Sequence, residues 1–551
     1  MDSGKMGSTI TVELLTASGF VVPNQPVSIQ VSGSSNSVNG TPVNTGEWVL
    51  IGNTDANGVV SADLTTSFSE VKTIWAISGG VQVQNTGSVA FPSLDDAAFQ
   101  IILHGETPAP GEEGGVTGTP EDIFSQEPTS FKIRAVDANY QLLEFYSGTV
   151  LINLSDPYAQ APTSVDVVDG EATVVVTWDL PILHTVEIEE DPHPDQSWEP
   201  IYGSRALEVL NTLVISDGET VTVDDDRYAV TDQLSSGDLV IPYDNSAWML
   251  PGHEILIAAM TGPGIGKYET HQVASVDGSS LTLDIPLFQD FDGTSSKVVV
   301  QRIPRYPNVL IQSGGTLTAH AWDGSTGGIV YFHVNTLGET IVETGGTISA
   351  DQLGFRNGEG PGAGGNAGLG QGAGGGGHGG IGGNSTGSGG SFYDTVQSPF
   401  SFGSPGGNKG LQGGAGGGII YIDSYWATID GVITSNGGNG QDDYGGSGGG
   451  AGGSVDISSY SLTGTGLIRT NGGNGAYSDW YGDGGGGAGG RIDLPVGFSG
   501  DVQARGGSGQ QYGGPGTVYS YAYLNETLTI DNNALCAYND WTTPMYNLVS
   551  R

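Results

Sequence analysis

Gly413-Gly-Ala-Gly-Gly-Gly-Ile-Ile-Tyr-Ile, closed by Gly431-Val-Ile-Thr-Ser-Asn-Gly-Gly-Asn-Gly440, is a phrase the chain writes three times. It returns as Gly449-Gly-Ala-Gly-Gly-Ser-Val-Asp-Ile with Gly466-Leu-Ile-Arg-Thr-Asn-Gly-Gly-Asn-Gly475. The third copy is Gly486-Gly-Ala-Gly-Gly-Arg-Ile-Asp-Leu with Gly500-Asp-Val-Gln-Ala-Arg-Gly-Gly-Ser-Gly509. A period of about 34–37 residues marks a solenoid, in which no unit buries its apolar face alone and stacked neighbours supply the core. Aligned without gaps, the phrases put Ile419, Val455 and Ile492 in one inward column and Tyr421, Ile457 and Leu494 in the next. Ile420, Asp456 and Asp493 then point outward to solvent, because successive strand side chains alternate faces. The closing turns align Asn436 with Asn471 and Arg505, and Asn439 with Asn474 and Ser508. Stacked Asn side chains can ladder from coil to coil by hydrogen bonds.

Upstream, Val309-Leu-Ile-Gln-Ser-Gly-Gly-Thr-Leu-Thr-Ala, Gly328-Ile-Val-Tyr-Phe-His-Val and Gly345-Gly-Thr-Ile-Ser-Ala continue the pattern. Short alternating strands split by Gly-Gly turns suit a parallel β-helix. The solenoid is therefore read over residues 311–530, with a glycine-rich insertion at 357–418. The core of that insertion, Gly362 to Gly383, has almost no side chain to bury and is either flexible or packed backbone to backbone. Residues 205–310 read as a β-rich cap or the first solenoid coils, with a third sandwich as the rival. Residues 531–551 form a C-terminal segment containing the sole cysteine, Cys536, which excludes an internal disulfide and reads as a small buried hydrophobe, with an intermolecular bridge as the alternative.

The N-terminal portion has a different rhythm. Val27-Ser-Ile-Gln-Val alternates strictly, and Trp48-Val-Leu-Ile, Val59-Val-Ser-Ala-Asp-Leu, Val71-Lys-Thr-Ile-Trp-Ala-Ile and Phe99-Gln-Ile-Ile-Leu follow at sandwich spacing. Thr54-Asp-Ala-Asn-Gly58 carries an Asn-Gly pair suited to a tight hairpin. Residues 8–105 thus read as one β-sandwich, 106–120 as a Pro, Gly and acid-rich linker, and 121–204 as a second sandwich. Thr54-Asp-Ala-Asn-Gly-Val-Val-Ser-Ala-Asp-Leu-Thr resembles a hairpin of the bacterial Ig-like domains of invasin- and intimin-type surface proteins. Val136-Asp-Ala-Asn with Ser147-Gly-Thr-Val is similar to Ig-like modules that stack as stalks, and Trp322-Asp-Gly-Ser-Thr-Gly-Gly328 resembles large secreted bacterial proteins with glycine-rich solenoids. The fold class implied is all-β: two Ig-like sandwiches followed by a glycine-rich parallel β-helix.

Sixty acidic against sixteen basic residues give a net charge of −44. Such a surface repels a phosphate backbone, which excludes nucleic-acid binding and disfavours an anionic membrane. No run approaches the length of a membrane span, so direct membrane insertion is not expected. Met1-Asp-Ser-Gly-Lys-Met-Gly-Ser lacks the apolar segment of a signal peptide. An exported chain of this kind is expected to have shed its signal or to belong to a longer one.

The acidic surface invites Ca²⁺ as a cofactor, with Asp456, Asp493, Asp225 and Asp226 as candidate ligands. The plainer reading makes the first two a solvated surface, relieved by Arg491, and the last two a polar turn. Tyr444, Tyr477, Trp480, Tyr481 and Tyr512 fall in successive loops, where they either contact a glycan or a neighbouring subunit or cover the glycine backbone. The eight histidines lack zinc spacing, and Gly262-Pro-Gly-Ile-Gly-Lys lacks the interval of a phosphate loop. The expectation is an extracellular, non-enzymatic structural or adhesive cell-surface protein that self-associates or meets a glycan or cell-surface receptor. A polysaccharide-binding or polysaccharide-degrading β-helix and a phage tail fibre are the alternatives.

Overall fold

A computed structural model of the chain describes residues 6–66, 70–91, 97–191, 200–368, 370–442, 445–478, 482–522 and 525–530. Residues 531–551, with Cys536, lie outside the described residues. The described chain is all-β, with mostly antiparallel sheets, and its helical pieces are two short turns at Glu113–Gly115 and Gly262–Gly264. No helix among the described residues is long and apolar enough to cross a membrane. Two compact units form: Met1–Ile123 with Thr129–Val209, and Phe124–Pro128 with Leu210–Arg551.

The first unit holds two sandwiches. In the first, strictly alternating Pro26–Val31 buries Val27, Ile29 and Val31 against Leu64 and Val12 of the other sheet, with Ile74 beside Val31 on a paired strand. Thr54–Gly58 does not close a hairpin. Val49–Asn53 pairs with Pro26–Val31 in one sheet, whereas Val59–Thr66 pairs with Met6–Glu13 in the other. The turn is an arch between sheets, set by Asp55, whose carboxylate accepts the N–H groups of Asn57 and Val59, and by Gly58 at φ 77°.

The second sandwich starts earlier than its composition suggests. Ala98–Leu103, expected as the last strand of the 8–105 domain, pairs with Pro128–Val136, setting Phe99 opposite Ala135 and Ile101 opposite Ile133. Phe99, Ile101 and Leu103 therefore join the core around Trp178, Val150, Val186 and Ile188. The 106–120 segment is no free linker, since Glu106–Pro108 and Val116–Gly118 form a hairpin. Arg205 donates to the Ile101 carbonyl and pairs with Glu106, which ties that hairpin down. The second sandwich also runs past the expected boundary at 204, since its last strand is Tyr202–Leu210 and Leu207 and Val209 join its core.

In the second unit, the rest of 205–310 divides between the two readings offered for it. Leu213–Ile215 and Thr220–Thr222 pair in parallel with Val309–Ile311 and Thr316–Thr318. Between them lies a six-stranded antiparallel sheet with its own core of Ile255, Ile257, Val300, Phe291 and Leu281. From there two ranks of strands run in parallel register. One passes through Val309–Ile311, Glu339–Val342, Ile419–Ile429, Ser454–Thr463, Arg491–Pro495 and Thr517–Ala522. The other passes through Thr316–Thr318, Thr347–Ser349, Val432–Thr434, Leu467–Arg469 and Asp501–Gln503. Ile348, Ile433, Ile468, Ile429 and Ile457 fill the core they share.

The register corrects the gap-free alignment at the first phrase. Ile420, not Ile419, lies beside Val455 and Ile492, and Tyr421 lies beside Asp456 and Asp493. The cause is one extra glycine: Gly416-Gly-Gly418 precede Ile419, whereas Gly452-Gly453 precede Ser454. A one-residue slip moves every side chain to the other face. Ile420, Val455 and Ile492 consequently enter the shared core, while Ile419 joins a second cluster with Tyr331, Phe400 and Phe402.

The glycine runs are a third component, and they are neither turns nor strands. Gly448, Gly449, Gly450, Ala451, Gly452 and Gly453 donate in turn to the carbonyls of Gly407, Gly485, Gly438, Ser404, Ala488 and Ser435. Residues three apart thus reach the same neighbouring run, so this run donates to three neighbours in rotation. A β-strand would alternate between two. Threefold repetition is the geometry of a polyproline-II-type helix, with three residues per turn and no internal hydrogen bonds. Helices packed this closely leave no room for a side chain: a Cβ on Gly450 would lie 2.0 Å from the Ala415 oxygen, and one on Gly448 1.9 Å from the Gly374 oxygen. The 357–418 insertion is part of this bundle, since Gly376 donates to Gly449 and Gly383 to Gly486.

Candidate functional site

The face of the long parallel rank turned away from the shared core carries two sets of polar residues. Asp456 and Asp493 lie on it side by side, but they are buried rather than solvated. The insertion covers them. Ser398 donates its N–H to Asp493 at 2.7 Å, Gln397 reaches the Tyr519 hydroxyl at 2.8 Å, and Ser401 exchanges hydrogen bonds with Ser454. Arg491 does not relieve the pair; its guanidinium donates to the Tyr393 carbonyl and to Thr517. Burial, with Asp493 and Asp423 nearby, pushes the Asp456 carboxyl well above the usual carboxylate range. Burial likewise pushes the Tyr331 and Tyr421 hydroxyls up; their rings lie 4.4 Å apart.

Further along the same face the cover ends and a groove of about 300 Å³ opens. Parallel register builds it. His333 lies beside Asp423 and Asp423 beside Ser458, and the next step sets Ser424 beside Ser459. One residue on, the rings of Tyr425 and Tyr460 stack at 5.0 Å and 13°. Trp426 packs edge-on against Tyr425. Tyr460 is 78% exposed. Arg305 and His333 also line the groove, and both donate to Glu254, His333 through its Nδ1–H, each at 2.8 Å. Burial works to raise the Glu254 carboxyl, and hydrogen bonds and charge from His333 and Arg305 outweigh it, leaving it below the usual range. His333 Nε2 lies 3.7 Å from Asp423. Asn335 Nδ2 and Ser459 Oγ also line this groove, buried and without a hydrogen-bond partner.

The other sequence candidates are dispersed. Asp226 accepts Arg302 at 3.1 Å and the Trp248 N–H at 2.7 Å, and Asp225 lies 3.4 Å from His320. Neither meets Asp456 or Asp493, and no group of three or more His, Cys, Asp or Glu with metal-holding geometry occurs among the described residues. Tyr477 and Tyr512 are exposed, while Tyr444, Trp480 and Tyr481 lie outside the described residues. The aligned asparagines are joined from coil to coil. Asn471 donates its N–H to Asn436 Oδ1 and Arg505 donates to Asn471 Oδ1, both at 2.8 Å. Asn474 donates to Asn439 and Ser508 to Asn474 at the same distance. Sequence reasoning passed over Tyr425, Tyr460 and Asp423. The signal was there, in Ser424-Tyr425 and Ser459-Tyr460 at a 35-residue interval, but it falls outside the glycine phrases that drew the alignment.

No protein-family model matches the sequence, and no curated protein matches it. Among solved structures, the D0-D1 domain of intimin is similar at 12% identity over 38% of this chain and 92% of that one, with a TM-score of 0.15. InvD of Yersinia pseudotuberculosis is similar at 14% identity over 54% of this chain and 90% of that one, with a TM-score of 0.18. Domains 4-9 of the surface layer protein SbsC are similar at 14% identity over 40% of this chain and 32% of that one, with a TM-score of 0.14. At those TM-scores the functional argument rests on the chain's own residues.

Proposed function

We propose that this is an extracellular surface protein with an adhesive role, in which Ig-like sandwiches act as an arm and residues 311–530 form a β-solenoid body. The parallel registers of two strand ranks support the solenoid reading, and the paired antiparallel sheets support the sandwiches. The observation that carries the adhesive reading is the open groove beside stacked Tyr425 and Tyr460. Exposed amphipathic rings on a rigid support contact a partner at low entropic cost.

The groove has the parts of a binding site and not of a hydrolase. His333 is committed to Glu254, and Ser424 donates to the Trp426 carbonyl. Elsewhere, Ser155 and His184 lie 3.0 Å apart beside Asp156. That set is closed, because His184 is buried under Trp178 and holds the Leu180 carbonyl. Self-association and Ca²⁺ at exposed carboxylates belong to the same reading. Fluorescently labelled whole chain should bind intact cells saturably, and light scattering with Ca²⁺ and then EDTA should show whether it polymerises. A chain that binds no cell surface and stays monomeric in both conditions would sink the proposal.

A further inference from the structure

We propose that the Tyr425–Tyr460 groove binds a neutral glycan, an inference that rests on the adhesive reading and supplies its ligand class. Three independent features converge there. The first is the stacked ring pair, whose outer face is open to solvent. A pyranose ring presents C–H groups on one face, and such a face packs on an aromatic ring while its hydroxyls stay in the plane of polar partners.

The second feature is unmet hydrogen bonding. Asn335 Nδ2 and Ser459 Oγ are buried polar atoms with no partner, and both line the groove. A buried donor left unmade costs about 1–3 kcal/mol, so a ligand that supplies oxygen acceptors recovers it. Sugar hydroxyls both donate and accept, which matches an amide donor, a serine hydroxyl and the carboxylate of Asp423 in one groove. The Asp423 side chain is about half exposed, so it presents carboxylate oxygen to neighbouring hydroxyls.

The third feature is charge, and it selects among glycans. Glu254 takes up the Arg305 guanidinium and the His333 imidazole. Asp423 is the carboxylate this groove turns toward solvent, 3.7 Å from His333 Nε2, on a chain whose net charge is −44. Sialylated, uronate and sulfated sugars meet repulsion there, and uncharged hexoses do not. The volume of about 300 Å³ sits at the small end of ligand pockets, which suits one or two rings of a longer chain.

The test is a printed array of neutral oligosaccharides built from glucose, galactose, mannose and N-acetylglucosamine, with sialylated counterparts, probed with the whole chain. Hits are then titrated calorimetrically. The expected result is binding of at least one neutral class, weakened about tenfold or more by Tyr460→Ala and also by Asp423→Asn. Tyr158→Ala, at an exposed turn of the first unit, should leave it unchanged. Melting curves of each variant exclude a folding defect. A blank array, a preference for the sialylated members, or neutral binding untouched by Tyr460→Ala would each overturn the proposal. Cell binding that persists in Tyr460→Ala alongside a blank array would remove the groove and keep the adhesive reading, whereas loss of cell binding by the unaltered chain removes the parent reading itself.

Discussion

Asp456 shows how a single residue records what lies over a sheet. Its carboxyl is raised by burial and by Asp493 and Asp423, with Tyr268, Tyr421 and Tyr521 around it. A folded-state value above the unfolded one means that the native chain holds an extra proton between the two. Stability from this group is therefore full below the ordinary carboxylate value and lost as pH rises through the raised one. Asp456→Asn keeps the shape and removes the titration. It should raise the melting temperature at about pH 7.5 more than at about pH 4.5, read by calorimetry. A larger gain at the acid end would contradict the assignment. Gly450 makes the complementary point about space. Gly450→Ala drives a methyl into the Ala415 backbone oxygen and should cost about 3 kcal/mol or more. Gly87→Ala, with nothing within 4 Å, should stay within about 0.5 kcal/mol. Thermal denaturation of the two variants compares them directly.

At the level of elements, the legible parts were those with a short period. Val27-Ser-Ile-Gln-Val gave a strand because its apolar residues alternate, and the structure buries those three. Ile433, Ile468 and Val502 could be aligned because a fixed count separates them from their glycine phrases. The slip at Ile419 was illegible for the opposite reason, since glycine runs of unequal length carry no side chain to mark the count. The burial of Asp493 was hidden because Gln397 and Ser398, its cover, lie 95 residues or so away from it in sequence. The threefold glycine helices could not be read either. Runs of Gly have no periodic side chain, and only the carbonyls they reach reveal three neighbours. Of the candidate groove, the ring pair repeats in the sequence, whereas His333 and Asn335 enter it through non-local pairing. The asparagine ladder yields a prediction at this scale. Asn471→Ala removes the acceptor of the Arg505 N–H and the donor to Gln503, and should destabilise the second unit by about 1–3 kcal/mol, measured by urea denaturation.

For the whole molecule, the division into two units is not a simple cut along the chain. Phe124–Pro128 belongs with the second unit, where Phe124 packs edge-on against Tyr306 at 5.0 Å and Glu127 receives Arg302 at 2.6 Å. A fragment beginning at Leu210 lacks both. It should melt below the corresponding transition of the intact chain, and its loss of stability should stay under the about 3–5 kcal/mol of breaking an isolated buried ion pair, because Asp226 still holds Arg302. Equal melting would show that the five residues contribute nothing. The glycine bundle carries a further consequence for how this molecule responds to temperature. Exposing hydrocarbon on unfolding raises the heat capacity, and exposing peptide groups lowers it. A unit that adds a bundle of bare amide to its apolar cores should therefore unfold with a heat-capacity increment per residue below the about 12–15 cal/mol/K of ordinary domains. Its stability curve is flatter for that reason, holding its shape in the cold and in the heat alike.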